Sequence, residues 1–162
     1  MVKKILVTGG AGYIGSHVCE VLLRKKKKVF IIDNLSTGYK KLVSKKVKFY
    51  KADIKDKKKI NYIIKKNNID TVVHLAASLV ISEGEKNPNL YYKNNVLGTK
   101  KLLEACQKTN IKNFIFSSTA AVYRDGFKTV SEYSNIKPKS VYGKTKLRAE
   151  KLIIKYCSKK KN

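Results

Sequence analysis

The sequence contains few of the residues on which metal sites, disulfide frameworks and membrane spans depend. Its 162 residues include two histidines, three cysteines and two prolines, and no apolar run is long enough to cross a membrane. The cysteines, Cys19, Cys106 and Cys157, are odd in number and far apart, so we expect the first two, which fall in helical patterns, to be buried free thiols in a reducing cytoplasm. No histidine, cysteine and acidic residues have the spacing of metal ligands. We therefore expect no metal site and no membrane partner.

Acidic residues are also scarce, because the chain has 11 of them against 37 lysines and arginines, which leaves a formal net charge of +26. Such a charge fits a protein that binds nucleic acid. Nearly all of the excess is lysine, however, scattered in runs such as Lys25–Lys28 and Lys57–Lys59 without aromatic side chains that stack on bases. We expect no specific nucleic-acid partner and only salt-sensitive adhesion to polyanions. A basic polyanion-binding module remains a competing hypothesis.

A glycine-rich turn near the start of the chain is its most informative positive feature. The apolar run Ile5–Val7 predicts a short buried strand, and Gly9, Gly12 and Gly15 follow it at intervals of three residues. Glycine lets the backbone approach a ligand without a Cβ atom, and the N–H groups at a helix start attract phosphate. The turn therefore predicts the phosphate end of a dinucleotide site, against the alternative of an ordinary tight turn. The apolar residues that follow recur at helical spacing: Ile14, Val18, Val21 and Leu22.

A carboxylate marks the end of the second apolar run. Val29–Ile32 predicts the second strand, and Asp33 follows it directly. A carboxylate at this strand tip accepts hydrogen bonds from the adenosine ribose hydroxyls and repels a 2′-phosphate. We therefore predict NAD rather than NADP as the cofactor, with a solvated turn residue as the alternative interpretation of Asp33.

Strand patterns alternate with helical patterns along the chain. The further strands are predicted at Val47–Tyr50, Thr71–Leu75 and Phe114–Phe116, and the further helices at 60–64, 90–109 and 142–156. This alternation favours an α/β fold, a Rossmann-like doubly wound parallel sheet of order 3-2-1-4-5 with helices on both faces. Ligands of such sheets bind at the carboxyl ends of the strands, here at the switch between strands 1 and 4.

Tyr142 and Lys146 lie four residues apart at the start of the last predicted helix. That spacing places both on one helical face, where an ammonium group favours the phenolate and lowers the pKa of the phenol toward that of a general base. Thr119, at the end of the fifth strand, supplies a hydroxyl that could share the substrate proton. The spacing alone is weak in a lysine-rich chain, since Tyr62 and Lys66 have it too. A surface pair is therefore the alternative interpretation.

These segments together resemble the extended short-chain dehydrogenase/reductases, and among them the family of UDP-glucose 4-epimerases. The resemblance runs in order along essentially the whole chain. It is carried by residues 7–17, 33–36, 49–54, 74–77, 91–96, 116–123 and 142–147. The glycine turn and the Tyr142/Lys146 pair are general to the superfamily, whereas residues 8–17, Asp33–Leu35 and Asn94–Val96 are closer to the epimerases.

The resemblance implies interconversion of UDP-glucose and UDP-galactose through a 4-keto sugar, with tightly bound NAD. Tyr142 would act as the base at the sugar 4′-hydroxyl, Lys146 would hold the nicotinamide ribose, and Thr119 would be the proton partner. The cofactor-binding residues that it implies are Gly9, Gly12, Tyr13, Ile14, Gly15, Asp33, Asn34, Asp53, Ile54, Leu75, Ala76, Ala77, Asn94, Ser117, Ser118, Tyr142 and Lys146. Related dehydratases carry an acidic residue just after Thr119, and its absence here favours an epimerase.

Three features depart from the family pattern: Arg124 replaces a usual glycine, Leu79 replaces a common lysine, and the chain stops soon after the helix of Tyr142. We expect residues 1–162 to be one NAD-binding domain, the cofactor half of an epimerase without its C-terminal substrate domain. The expected setting is cytoplasmic, without a signal peptide, with a UDP-sugar as partner and a homodimer left open. The alternatives are a catalytically inactive NAD-binding fragment and another sugar-nucleotide epimerase or dehydratase of the same family.

Overall fold

A computed structural model describes residues 2–107, 109–124 and 129–159 of the chain. Lys159 is described without its side chain. Its centre is a five-stranded parallel sheet of order β3-β2-β1-β4-β5. The predicted α/β class and strand order are thereby confirmed. The strands are β1 (Lys4–Thr8), β2 (Lys28–Asp33), β3 (Lys48–Lys51), β4 (Thr71–His74) and β5 (Asn113–Phe116).

The three central strands form because their valine and isoleucine runs are buried on both faces. A parallel strand covered on both faces carries a continuous apolar run rather than an alternating one. In β1 and β2, Leu6, Val7, Ile31 and Ile32 are all fully buried. The strand β5 differs, since its exposure alternates and Ile115 is 55% exposed.

Chain segments 1–76 and 101–117 form one compact unit, which contains the whole sheet. Helix α1 (Tyr13–Arg24) connects β1 to β2, and its Cys19 lies in an apolar cluster with Val7, Val29 and Ile31. Helix α2 (Lys57–Asn67) precedes β4 and buries the predicted face of Ile60, Ile63 and Ile64. The connection from β1 to β2 and the connection from β3 to β4 run in opposite directions across the sheet, so right-handed crossovers place these two helices on opposite faces.

Segments 77–100 and 118–162 form the second compact unit. Its elements are α3 (Ile81–Lys86), α4 (Pro88–Tyr91), a π-helical segment Tyr92–Leu97, the start of α5 (Gly98–Cys106), a 3₁₀ turn Ala120–Val122 and α6 (Val141–Lys159). The segment from α4 to α5 is continuously helical and corresponds to the helix predicted from Leu90 to Thr109. One position of that prediction, Lys108, lies outside the described residues.

One sequence expectation about a helix needs correction. The face of α1 that lies inward carries Gly15 and Cys19, with Val18 and Leu22 half-buried. Ile14 and Val21 point outward and are 62% and 50% exposed, because the face of α1 that carries Gly15 lies against the turn.

The short helix α3 is not predicted by the sequence, since its residues ISEGEK have no clear apolar period. Within the described residues, no helix has both the length and the apolar character of a membrane span.

Candidate functional site

The glycine turn lies where β1 ends and α1 begins, beside the end of β4. Gly9 adopts φ +72°, a conformation that favours glycine, and a Cβ atom there would lie 2.8 Å from the Ala76 nitrogen. A Cβ atom on Gly15 would lie 2.1 Å from the Gly9 carbonyl oxygen. The turn therefore closes on itself and on the loop after β4, at the predicted switch between β1 and β4.

Gly12 is placed differently from its two neighbours in the pattern. It is the N-cap of α1 in an extended conformation, and the nearest atom to a Cβ on it is the Gly9 oxygen at 3.3 Å. A glycine N-cap brings no side chain to the first N–H groups of the helix, and the first turn, Tyr13–Ser16, contains no acidic residue. Helix N-termini with open N–H groups bind phosphate, and the residues here fit a diphosphate.

The Asp33 side chain stabilises this turn. Its Oδ2 accepts a hydrogen bond from the Ala11 N–H at 3.0 Å, and its Oδ1 accepts one from the Leu35 N–H at 2.8 Å. The residue is 8% exposed. Each carboxylate oxygen has two lone pairs, so these bonds leave acceptor capacity for ribose hydroxyls. The structure thus gives Asp33 a local structural role that the sequence prediction did not include.

Asn34, Asp53 and Ile54 lie together near the end of β2. The Asn34 amide donates to Asp53 Oδ2 at 3.1 Å, and Asp53 Oδ1 accepts from the Lys55 N–H at 2.8 Å. Ile54 is buried. Three of the predicted cofactor-binding residues are therefore neighbours, and hydrogen bonds hold Asn34 and the loop of Asp53 in place.

His74 ends β4 as a packed residue. Its Nδ1 lies 2.7 Å from Thr8 Oγ1, and its side chain is 1% exposed beside the rings of Phe114 and Phe116. The half-buried Leu75 and Ala76 follow it, and the Ser117 N–H after β5 donates to the His74 carbonyl at 3.2 Å. The loops after β4 and β5 are thus joined at the carboxyl edge of the sheet.

In the second unit, Tyr142 and Lys146 lie one turn apart on α6, as predicted. Tyr142 is half-buried, whereas Lys146 is only 3% exposed. Burial lowers the pKa of the Lys146 ammonium to about 8, and the negative charge of Glu150 opposes this shift. A buried lysine with such a shift is typical of a functional site.

The pair Tyr62 and Lys66 has the same spacing and a different environment. The Lys66 ammonium donates to the Tyr62 hydroxyl at 2.8 Å on the exposed face of α2, and Tyr62 is 56% exposed. Hydrogen bonding to Tyr62 raises the pKa of Lys66, the opposite of what burial does to Lys146. The two pairs are therefore distinguished by burial, which spacing alone does not report.

The residues after β5 form a hydrogen-bonded segment in front of the 3₁₀ turn. Thr119 Oγ1 accepts from the Ala121 N–H at 3.1 Å, which leaves the hydroxyl proton of Thr119 for another acceptor. The Ser118 hydroxyl donates to Glu150 Oε1 on α6. Ser118, predicted to bind the cofactor, thus already uses its donor within the chain.

Asn95 is a site residue that the sequence analysis missed. It is 2% exposed in the π-helical segment, and its amide oxygen accepts from the Ser78 N–H at 2.8 Å. Its amide nitrogen donates to the Ser78 carbonyl at 2.9 Å and to Thr145 Oγ1 at 3.1 Å. The predicted Asn94 donates to Ser78 Oγ at 2.9 Å. Asn95 therefore links α6 to Ser78 within the second unit.

A signal for Asn95 was present in the sequence. Asn95, Thr99, Leu102 and Cys106 recur at helical spacing and are all buried. A polar side chain on the apolar stripe of a helix must find hydrogen-bond partners, and that requirement marks Asn95.

The predicted residues fall into the two units. Those that the structure brings together at the edge of the sheet unit are Gly9, Gly12, Gly15, Asp33, Asn34, Asp53, Ile54, Leu75, Ala76 and Ser117, with the exposed Tyr13 and Ile14 on α1. Those of the second unit are Ala77, Asn94, Ser118, Thr119, Tyr142 and Lys146. Among the residues that the structure describes, no histidine, cysteine and acidic side chains are grouped to hold a metal ion.

Comparison with known proteins gives a consistent match over nearly the whole chain. The model of the NAD dependent epimerase/dehydratase family matches residues 5–162. The UDP-glucose 4-epimerase of Lactobacillus helveticus is 42% identical over 151 residues, which are 93% of this chain and 46% of that protein. That of Halalkalibacterium halodurans is 43% identical over 149 residues, 91% of this chain and 44% of that protein.

Solved structures agree with these relatives. The UDP-glucose 4-epimerase of Brucella ovis in complex with NAD superposes with a TM-score of 0.93 at 37% identity, covering 97% of this chain and 48% of that one. The UDP-Glc/GlcNAc 4-epimerase of Campylobacter jejuni gives 0.90 at 38% identity, covering 95% and 49%. The chain thus spans slightly less than half the length of each of these four proteins.

Proposed function

This chain belongs to the NAD-dependent epimerase/dehydratase family, and from that premise we propose that it is the NAD-binding half of a UDP-glucose 4-epimerase. The observation that carries the proposal is the N-terminus of α1, where the N-cap Gly12 leaves the first N–H groups uncovered by a side chain. Asp33 stabilises the turn in front of it by accepting from the Ala11 N–H at the carboxyl edge of the sheet. The naming of its relatives as UDP-glucose 4-epimerases and the NAD complex of one of them support it.

In this proposal the glycine turn holds the cofactor diphosphate. The N–H groups at the start of α1 bind the phosphates, and Gly12 leaves the space that they need. Asp33 accepts from the adenosine ribose, and its charge excludes a 2′-phosphate, which selects NAD over NADP. Asn34 binds the adenosine ribose beside Asp33, and Asp53 and Ile54 border the adenine.

The chemistry of the reaction belongs to Tyr142, Lys146 and Thr119. When bound, NAD supplies a nicotinamide that accepts a hydride from the sugar C4′ and returns it. Tyr142 would take the proton of the 4′-hydroxyl and would return a proton to the same oxygen when the 4-keto sugar is reduced again. Lys146, charged below about pH 8, stabilises the phenolate of Tyr142. The Thr119 hydroxyl donates a hydrogen bond to the same sugar oxygen.

Binding of NAD is the first test. Calorimetry on the purified chain should give saturable NAD⁺ binding, with weaker binding of NADP⁺. Gly12→Ala should weaken NAD⁺ binding at least about tenfold while the circular dichroism spectrum stays that of the wild type, because alanine tolerates this backbone but its methyl fills the diphosphate space. Absence of NAD⁺ binding at millimolar concentration by the wild type contradicts the proposal.

Denaturation of the purified chain offers an independent check, since a tightly held cofactor co-purifies. The supernatant of the acid-precipitated protein should contain a nicotinamide dinucleotide that alcohol dehydrogenase reduces with the 340 nm absorbance of NADH. The cofactor assignment is contradicted if the supernatant contains no nicotinamide and the purified protein does not bind added NAD⁺.

Activity is tested by conversion of UDP-galactose with matched tyrosine variants. Tyr142→Phe should abolish the conversion, whereas Tyr62→Phe, the control with the same spacing to a lysine, should leave it unchanged. We expect low conversion by the wild type, because the chain spans less than half the length of the relatives that are named for this activity.

That same coverage favours a second candidate, a catalytically inactive NAD-binding fragment. It predicts NAD⁺ binding with no conversion of UDP-galactose. Turnover that depends on Tyr142 would exclude the inactive fragment, and conversion of UDP-N-acetylglucosamine in place of UDP-glucose would indicate another epimerase of the family.

A further inference from the structure

Glu150 is the only acidic residue on α6, and it lies one turn after Lys146. Side chains four residues apart on a helix are neighbours. Lys146 is 3% exposed, so its ammonium has little water around it, and the charge of Glu150 favours its charged form.

Glu150 has a second contact, which crosses to a different part of the second unit. Its Oε1 accepts a hydrogen bond from the hydroxyl of Ser118, 32 residues earlier in the chain. Ser118 directly precedes Thr119, and both are half-buried. Glu150 therefore holds the amino side of the segment that carries the Thr119 hydroxyl.

The other side of this segment is held by α6 as well. Gly143 approaches the 3₁₀ turn so closely that a Cβ on it would lie 2.3 Å from the Ala121 carbonyl oxygen. Gly143 and Glu150 are two turns apart and thus lie on one face of α6, with Lys146 between them. Thr119 lies between the two fixed points, at Ser118 and at Ala121.

From this arrangement, and resting on the proposed function, we infer that Glu150 is a positioning residue of the reaction. It fixes the segment of Thr119 to the helix that carries Tyr142 and Lys146, and it supplies a negative charge beside the Lys146 ammonium. Glu150 acts through Thr119 and Lys146, and it contacts neither the sugar nor the cofactor itself.

The two parts of this role are separable by substitution. Glu150→Gln removes the charge and keeps an amide oxygen that accepts from Ser118. Ser118→Ala removes the hydrogen bond and keeps the charge. Glu104→Gln is the matched control, because Glu104 also lies beside lysines, Lys57 and Lys101, on another helix.

The decisive measurement is the titration of Lys146 by NMR of protein with ¹³C-labelled lysine, in which Lys146→Met identifies the resonance. In the wild type we expect a midpoint at about 8. Glu150→Gln should move it to lower pH, because the negative neighbour is gone. Ser118→Ala and Glu104→Gln should leave it in place, although Ser118→Ala should lower the melting temperature by about 2–4 °C.

An unchanged Lys146 midpoint in Glu150→Gln overturns the inference, as does an unchanged melting temperature in Ser118→Ala. A simple structural role of Glu150 lowers the melting temperature without moving the Lys146 titration, so the two readouts tell the roles apart. Calorimetry with NAD⁺ on the wild type tests the proposed function separately. No binding there overturns the proposed function, whereas binding combined with an unmoved Lys146 titration overturns only the role of Glu150.

Discussion

Burial in the folded chain changes the acid–base properties of Lys146 and Cys19. Removing a charged group from water disfavours its charged form, so burial lowers the pKa of the Lys146 amine to about 8 and raises the pKa of the Cys19 thiol to about 12. At neutral pH Lys146 stays charged at a free-energy cost, whereas Cys19 stays a neutral apolar thiol. The first effect bears on the proposed role of Lys146, and the second concerns packing.

The free energy of unfolding should therefore rise with pH in a window set by Lys146. Its pKa is about 8 when folded against 10.5 when exposed, so between these values the unfolded chain binds more protons and higher pH favours the folded state. Relative to Lys146→Met, wild-type stability should increase by on the order of 2–3 kcal/mol across the window. Urea unfolding of both proteins from pH 7 to 10 measures this.

Cys19 acts with the opposite sign and does not disturb that comparison. Its pKa is raised from 9.0 to about 12, so the stability that it contributes is present below about pH 9 and is lost as the pH rises through 12. Both proteins contain Cys19, and the difference between them cancels its effect. A difference that stays flat from pH 7 to 10 would show that Lys146 is not buried as described.

Thiol accessibility gives a second prediction for single residues. Cys19 and Cys106 are buried and Cys157 is exposed, all three as free thiols, so Ellman's reagent should react rapidly with one thiol of the native protein and with three in denaturant. Cys157→Ser should remove the rapid reaction. Two or more rapid thiols in the native wild type contradict the burial of the helix cysteines.

Among the structural elements, the turn between β1 and α1 shows why equally spaced glycines are not equivalent. Gly15→Ala should lower the free energy of unfolding by more than about 2 kcal/mol, because its methyl would lie 2.1 Å from the Gly9 oxygen. Gly12→Ala should cost less than about 1 kcal/mol, since its nearest contact is 3.3 Å. Urea unfolding of the pair checks this, and equal losses would contradict the described turn.

The main elements could be predicted because their signals are local. The runs Ile5–Val7 and Val29–Ile32 are buried on both faces. The strand–turn–helix order around Gly9 indicates that β1 and the next strand run parallel. The helix α3 and the π-helical segment Tyr92–Leu97 could not be predicted in this way. A six-residue helix has too few turns for a period. No local pattern distinguishes π from α bonding around Asn95, whose partners Ser78 and Thr145 are distant in sequence.

The candidate site shows the same division at finer detail. The positions of Gly12, Asp33, Tyr142 and Lys146 followed from spacing, and their roles in the reaction stay predictions. The burial of Lys146 and the bond between Ser118 and Glu150 depend on residues distant in sequence, so no local pattern carries them. A lysine on a helix is ordinarily predicted as exposed.

For the chain as a whole, the formal net charge of +26 is the dominant electrostatic feature. Like charges repel in the compact state, and dissolved salt screens them over about 10 Å at 0.1 M. The melting temperature should therefore rise by a few °C between 0.02 and 0.3 M sodium chloride. Equal concentrations of a neutral osmolyte such as glycerol serve as the control, and a melting temperature that falls with salt would contradict net self-repulsion.

The single exposed thiol gives the chain a natural attachment point. Cys157 lies on α6, 11 residues beyond Lys146, which corresponds to about 16 Å along the helix axis. A fluorescent dye coupled there would be an acceptor for resonance energy transfer from a bound reduced nicotinamide, which fluoresces in the blue. Binding of NADH would then become visible as a change of emission colour in solution, without any turnover.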